Sequence, residues 1–108
     1  MRKELGKIQK AEFGKGGYQD AMIGISFNLG GDSWGVCDFW GHWASERTNR
    51  TEWTEESRLK YLGETSMRVL KLLDDAKVDS VSKLAGIPIE VEFEANTLKT
   101  WRILKEVL

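Results

Sequence analysis

Apolar and polar residues alternate with a period of two through residues 21–29, AMIGISFNL. This alternation is typical of a strand with one buried face. Gly30-Gly31-Asp32 then supplies the residues of a tight hairpin turn, so residues 33–43, SWGVCDFWGHW, are predicted to return as an antiparallel partner. The pairing is predicted to bury Trp34 and Trp40, beside Val36 and the apolar residues of the first strand, which are Ile23, Ile25, Phe27 and Leu29.

A second hairpin is predicted near the end of the chain. Residues 89–94, IEVEFE, place Ile89, Val91 and Phe93 on one face and a row of three glutamates, Glu90, Glu92 and Glu94, on the other. After a turn at 95–97, residues 98–108 return with Trp101 and Ile103 on one face. Weaker alternation over residues 7–13 predicts a first strand or an ordered arm, followed by a glycine-rich loop over 14–20.

Between the hairpins, apolar residues recur every three or four positions and predict one long helix over residues 54–77. We expect four of its side chains to pack on the sheet: Leu62, Val69, Leu70 and Leu73. A short helical turn is predicted within 78–86. The predicted fold class is therefore α+β, an antiparallel sheet of two hairpins with four or five strands packed against one long helix, in a single domain over residues 1–108.

The composition fits one globular domain, with 108 residues of which 41% are hydrophobic and 31% charged. Cys37 is the only cysteine, so no intramolecular disulfide can form, and a reducing compartment is favoured. The start MRKELGKIQK has charges where a signal peptide needs apolar residues, and no apolar run is long enough to cross a membrane. We therefore expect a cytoplasmic protein with no membrane partner.

No set of residues predicts catalysis, a cofactor or a metal site. His42 is the only histidine, and neither it nor Cys37 has companions at metal-ligand spacing. The weakest of three functional hypotheses is a small enzyme that uses Asp38 with His42 or Cys37. We expect no enzyme activity, no cofactor and no metal.

In the first predicted hairpin, the strand face opposite the core carries mostly glycine and other small residues. Glycine within a strand marks a bulge or the close approach of another backbone, which here belongs either to the same fold or to a partner. Because every second residue of a strand lies on the same face, Asp38 falls on the apolar face. We expect a bulge or a strand end to turn it outward. Trp43 is expected to be the most exposed tryptophan. The candidate binding residues are Trp43, Phe39, Tyr18, Gly35, Gly41 and Asp38.

The formal net charge is −1, which predicts weak binding to nucleic acid, because phosphate backbones are normally bound by a basic face. The second hypothesis is nevertheless a single-stranded nucleic-acid-binding protein. It would stack bases on Trp43, Phe39 and Tyr18 and bind phosphates through Arg2, Lys7, Lys10 and Lys15. The glutamates of the second hairpin are expected to be a solvated strand face, and imitation of phosphate spacing is the alternative.

From Lys10 onward the chain, including GGYQDAMIG, GDSWGV and residues 98–108, resembles small proteins encoded by bacteriophages and prophages that have no assigned activity. The resemblance implies a bacterial host cytoplasm and a phage accessory role, and it transfers no site residue. Accessory proteins of this size, such as anti-CRISPRs, often act by binding. The first hypothesis is therefore a non-enzymatic protein that binds a host or phage protein and inhibits a host defence or nucleic-acid-processing complex.

Overall fold

The fold is one antiparallel five-stranded sheet with a long helix packed against it, which confirms the predicted α+β class. The computed structural model describes residues 2–16, 21–43 and 55–108, apart from the side chain of Trp43. The elements are β1 (Arg2–Gly16), β2 (Met22–Gly30), β3 (Gly35–Trp43), α1 (Glu55–Ala76), β4 (Pro88–Glu94) and β5 (Thr97–Ile103), with short 3-10 helices at Val81–Leu84 and Lys105–Val107.

The sheet is built around β1, because the strand order is β3-β2-β1-β4-β5. Residues 2–7 of β1 pair with β4, and residues 7–16 pair with β2. The register shifts between Ile8 and Lys10, and such a bulge bends a strand and increases its twist. β1 is longer than the strand or arm predicted over 7–13, because ladder hydrogen bonds to two hairpins hold its polar residues in place.

The two hairpins supply most of the core, as their alternation predicts. β2 buries Ile25, Phe27 and Leu29 and leaves Ile23 partly exposed, β4 buries its three inward residues, and the remaining buried apolar side chains come from β1, β5, α1 and the segment between α1 and β4. We call the side of the sheet that carries this core the inner face. The buried core residues are Ile8, Ile25, Phe27, Leu29, Leu72, Ala76, Leu84, Ile89, Val91, Phe93 and Ile103.

The predicted antiparallel pairing of the first hairpin is confirmed, and Val36 and Trp40 lie on the predicted face, since Ile25 lies opposite Trp40 and Leu29 opposite Val36. Trp34 packs on the core from the turn, with its ring edge-to-face on Phe93 at 5.6 Å between centroids. The full burial predicted for Trp34 and Trp40 is wrong, because both stay partly exposed at the margin of the core.

α1 begins and ends within one residue of the predicted helix and contacts mainly β3, with further contacts to β2 and β5. Leu72 and Ala76 are its buried residues, whereas Leu70 is 50% exposed, so the prediction that Leu70 belongs to the core is wrong. Each residue advances a helix by about 100°, which turns Leu70 away from the side that Leu72 and Ala76 bury. No helix among the described residues is long and apolar enough to cross a membrane.

Candidate binding site between the helix and the edge strands

The two outermost strands of the sheet meet through one carboxylate. Oδ2 of Asp38, on β3, accepts hydrogen bonds from the indole Nε1 of Trp101 on β5 at 2.8 Å and of Trp40 at 3.0 Å. Its Oδ1 accepts the backbone N–H of Phe39 at 2.8 Å. The sheet is therefore curled enough to bring β3 to β5, although three strands separate them in the order.

The prediction that Asp38 turns outward is wrong. The β2–β3 ladder has no bulge, so Asp38 lies opposite Phe27 and stays on the inner face, as its position in the strand implies. A carboxylate is stable at the margin of an apolar core only when hydrogen-bond donors replace water. Here two indole N–H groups do so, and one of them comes from a strand that the first hairpin does not contain.

The two indoles beside Asp38 form an aromatic cluster. Trp40 and Trp101 stack with 5.3 Å between ring centroids and 22° between planes. Phe27 packs its ring against both in T-shaped contacts, at 4.8 and 4.9 Å. The guanidinium of Arg68, on α1, lies over the Trp40 ring at 3.8 Å. The cluster thus joins the helix, the core and both edge strands.

A cleft of about 320 Å³ opens over this cluster, between α1 and β5. Its aromatic lining is Trp40 and Trp101. Its charged lining consists of four cationic side chains and one carboxylate, so the cleft is positive although the chain as a whole is close to neutral. The charged residues are Arg68, Lys71, Arg102, Lys105 and Asp75.

The two lysines that line the cleft share a single carboxylate. Nζ of Lys71 lies 3.0 Å from one oxygen of Asp75, and Nζ of Lys105 lies 3.7 Å from the other. One negative charge therefore faces two positive charges. The cleft keeps an excess of positive charge after these pairs have formed.

Arg102 is held between two glutamates. It pairs with Glu106 at 3.1 Å and with Glu90 at 3.3 Å. The hydrogen bond with Glu106 raises the pKa of Arg102, and the same bond lowers the pKa of the Glu106 carboxyl. All three side chains are solvent-accessible, so this pairing positions the guanidinium more than it stabilises the fold.

Arg68 differs from the other cations of the cleft, which have ion pairs, because it has none with any described residue. Its guanidinium instead makes a cation–π contact with the ring of Trp40. An arginine fork binds a carboxylate through two parallel hydrogen bonds when its N–H groups are available. On its far side, Arg68 lines a second depression together with Phe39, Gly41, His42 and Tyr61, among others. Arg68 is therefore accessible from both depressions.

The predicted binding residues are not gathered at one place. Asp38 is on the inner face, whereas Phe39, Gly35 and Gly41 are on the opposite, outer face. Tyr18 lies outside the described residues. The backbone of Trp43 pairs with Met22, and its side chain lies outside the description.

The bare outer face has an explanation within the fold at Gly41. A Cβ there would lie 2.6 Å from the ring of Phe39 and would collide with the carbonyl oxygen of Ile23. Gly35 is different, because the nearest atom to a Cβ would be the carbonyl oxygen of Leu29 at 3.8 Å. The hairpin itself therefore makes the predicted close approach at Gly41. At Gly35 there is no such close approach.

The residues of the enzyme hypothesis are not brought together. Cys37 lies on the outer face and hydrogen-bonds Oδ1 of Asn28 at 3.4 Å, whereas His42 lies on the inner face. Asp38 is occupied by the two indoles. Within the described part of the chain, no group of three or more His, Cys, Asp or Glu side chains is placed to hold a metal ion.

The basic residues of the nucleic-acid hypothesis are spread over both faces of β1. Their positions in β1 place Arg2 and Lys15 on the inner face, and they place Lys7 and Lys10 on the outer face. Arg2 pairs with a neighbouring glutamate at 3.3 Å, and Lys10 pairs with another at 2.9 Å. They do not form the basic stripe that a phosphate backbone needs.

Sequence reasoning missed Arg68, Trp101 and Arg102 as members of a common site. Their local patterns are those of an ordinary surface helix and an ordinary hairpin, and no spacing in the chain joins a residue near 68 to one near 101. The only usable signal was Asp38. Its position in the strand places a carboxylate on the core side of the sheet, where it requires hydrogen-bond donors from another part of the chain. No protein-family model, curated protein or solved structure matches this chain, so the site is defined by its geometry.

Proposed function

We propose that this chain is a non-enzymatic binding protein that receives an acidic segment of a protein partner in the cleft between α1 and β5. The observation that carries this proposal is Arg68, a guanidinium held over Trp40 at the cleft with no carboxylate of its own among the described residues. Arginine and tryptophan are the side chains most enriched at interface positions that dominate binding energy.

A protein carboxylate fits the cleft better than a nucleic-acid strand does. The rings of Trp40 and Trp101 are stacked on each other, and Arg68 lies over Trp40, so these contacts already use ring surface on which a base would stack. Glu106 and Glu90 stand beside the cations on β5. A nucleic-acid strand, with a phosphate at every nucleotide, would meet these negative charges on passing Arg102, whereas a peptide segment needs only one carboxylate, placed at Arg68.

The setting we propose is the cytoplasm of a bacterial host, where the partner is a host or phage protein and binding inhibits a host defence or nucleic-acid-processing complex. The support for this setting is the resemblance of residues 10–44 and 62–108 to small phage and prophage proteins. The cleft adds a chemical requirement, because the partner must present at least one carboxylate on an accessible segment.

The test is affinity capture from lysate of a prophage-bearing host, with identification of the partner by mass spectrometry. Binding of the purified partner is then measured for the wild type and for Arg68→Glu. We expect Arg68→Glu to weaken binding by about tenfold or more, because it places a like charge against the acidic segment. Loss of the contact with Trp40 should cost only about 0.5–1 kcal/mol of stability, so the variant should fold.

Lys10→Glu is the matched control, since it makes the same kind of charge reversal on the outer face of β1. It should leave binding of the partner unchanged. Equal binding by the wild type and Arg68→Glu would refute the cleft as the site. Tight binding of a single-stranded oligonucleotide at about 150 mM salt, weakened by Lys10→Glu, would instead support the nucleic-acid hypothesis.

A further inference from the structure

The flank of α1 that faces away from the sheet carries an apolar stripe. Leu59, Met67 and Leu70 are 60%, 64% and 50% exposed, and they fall within about 80° of one another around the helix. Gly63 lies in the middle of the stripe, and no atom comes within 4 Å of the position that a Cβ would take there. Large apolar side chains around a small residue form a surface suited to close packing of a second helix.

Three charged residues beside this stripe have no ion-pair partner in the part of the chain that the structure describes. Glu56, Lys60 and Asp74 have no ion pair with any described residue, whereas four other charged residues of α1 form two pairs within the helix. Those internal pairs are Glu55 with Arg58 and Lys71 with Asp75. Charges without partners beside an exposed apolar stripe favour a partner that supplies the opposite sign.

We infer that a second copy of this chain packs its own α1 antiparallel on the stripe, about a two-fold axis near Ser66 and Met67. This axis places Leu70 of each copy over the open space at Gly63 of the other. A two-fold interface is self-complementary, so every contact occurs twice.

The same axis brings opposite charges together. Lys60 comes close to Asp74 of the second copy, and Glu56 comes close to Lys77, the residue that follows the helix. A parallel pair of helices would instead set Lys60 against Lys60 and Glu56 against Glu56. The charge pattern therefore selects the antiparallel arrangement.

This interface is independent of the proposed function. Arg68 is about 140° around the helix from the centre of the stripe, so both clefts of the dimer stay accessible. Failure of the dimer would leave the cleft proposal unchanged, and failure of the cleft proposal would leave the dimer unchanged.

The first test is sedimentation velocity of the purified chain over a concentration series. We expect the wild type to reach the dimer mass at about 100 μM or below. Leu70→Glu and Met67→Glu should each raise the dimer dissociation constant by about tenfold or more, because each buries a charge in the apolar contact. Val107→Glu, which changes an apolar residue 65% exposed outside the stripe, is the matched control and should remain dimeric.

The second test concerns the orientation of the helices. Lys60→Glu should weaken the dimer, and adding Asp74→Lys in the same chain should restore it, because the pair is then reversed. Circular dichroism checks that each variant is folded. A wild type that is monomeric at about 100 μM, a dimer that survives both stripe substitutions, or a double variant as weak as Lys60→Glu would each overturn the inference.

Discussion

Replacement of Asp38 by alanine removes a carboxylate that hydrogen-bonds residues of both edge strands. In the folded chain, its carboxylate accepts the indole N–H groups of Trp40 and Trp101 at 3.0 and 2.8 Å, and the backbone N–H of Phe39 at 2.8 Å. Alanine can accept none of these bonds. Both indole N–H groups would then have to find water at the margin of the core.

The magnitude follows from these bonds. A hydrogen bond to a charged group contributes about 1.5–3 kcal/mol, and a buried donor left without a partner costs about 1–3 kcal/mol. Because both indoles remain partly exposed, water can replace some of the loss. We therefore expect Asp38→Ala to lower the free energy of unfolding by about 2–4 kcal/mol, out of the roughly 5–15 kcal/mol typical of a domain.

Asp38→Asn separates the hydrogen bonds from the charge. Its amide oxygen can still accept an indole N–H, while its NH₂ group cannot, so we expect a smaller loss of about 1–2 kcal/mol. Asp79→Ala is the control, because its side chain is 79% exposed and its surface pair with a lysine contributes little.

The assay is urea denaturation followed by tryptophan fluorescence and by circular dichroism, for the wild type and the three variants. The expected order of stability is wild type and Asp79→Ala, then Asp38→Asn, then Asp38→Ala. If Asp38→Ala lost less than about 1 kcal/mol, or proved as stable as Asp38→Asn, the carboxylate would not hold the edge strands together, and the reasoning on the site would be refuted.

Three further predictions concern packing and charge. Phe93→Ala should cost about 3–5 kcal/mol in chemical denaturation and Leu70→Ala less than about 1 kcal/mol, since their side chains are 2% and 50% exposed; equal losses would contradict the core. Gly41→Val should lower the melting temperature, whereas Gly35→Val should not, because only the first Cβ meets other atoms closely; the opposite order would be inconsistent with this hairpin. The lowered pKa of Glu106 means that its pairing stabilises the fold above the ordinary glutamate value of 4.5 and is lost as pH falls through the lowered value. Glu106→Gln should flatten this part of the pH–stability curve, and an unchanged curve would contradict the pairing.

The sequence alone determined those elements in which the apolar positions of the local pattern are also the buried positions. Alternation predicted β2 and β4 and their inward-facing residues, and the glycine turn predicted β3 as the antiparallel partner of β2. A one-residue slip would have moved a whole apolar set to solvent, so the alternation left one answer. The same pattern placed Asp38 on the apolar face, although we then expected the chain to turn it away.

The helix shows where local pattern is insufficient. The apolar residues of α1 occupy a wider arc around the helix than the part that the sheet covers. Periodicity therefore predicted the helix but could not show which part of this arc is buried. Leu70 belongs to the arc and is half exposed, whereas Leu72, which we did not select, is buried. The position of the helix on the sheet decides between them.

The tertiary structure alone decided the role of β1 and the composition of the site. β1 has weak alternation, because its place in the sheet depends on hydrogen bonds to two hairpins, and backbone hydrogen bonds leave no mark on side-chain pattern. The cleft joins Trp40 on β3, Arg68 on α1 and Trp101 on β5. Only the curl of the sheet brings these residues together. Strand twist and the irregularities in the β1–β2 and β4–β5 ladders favour such a curl, and they act through the whole sheet rather than through any short segment.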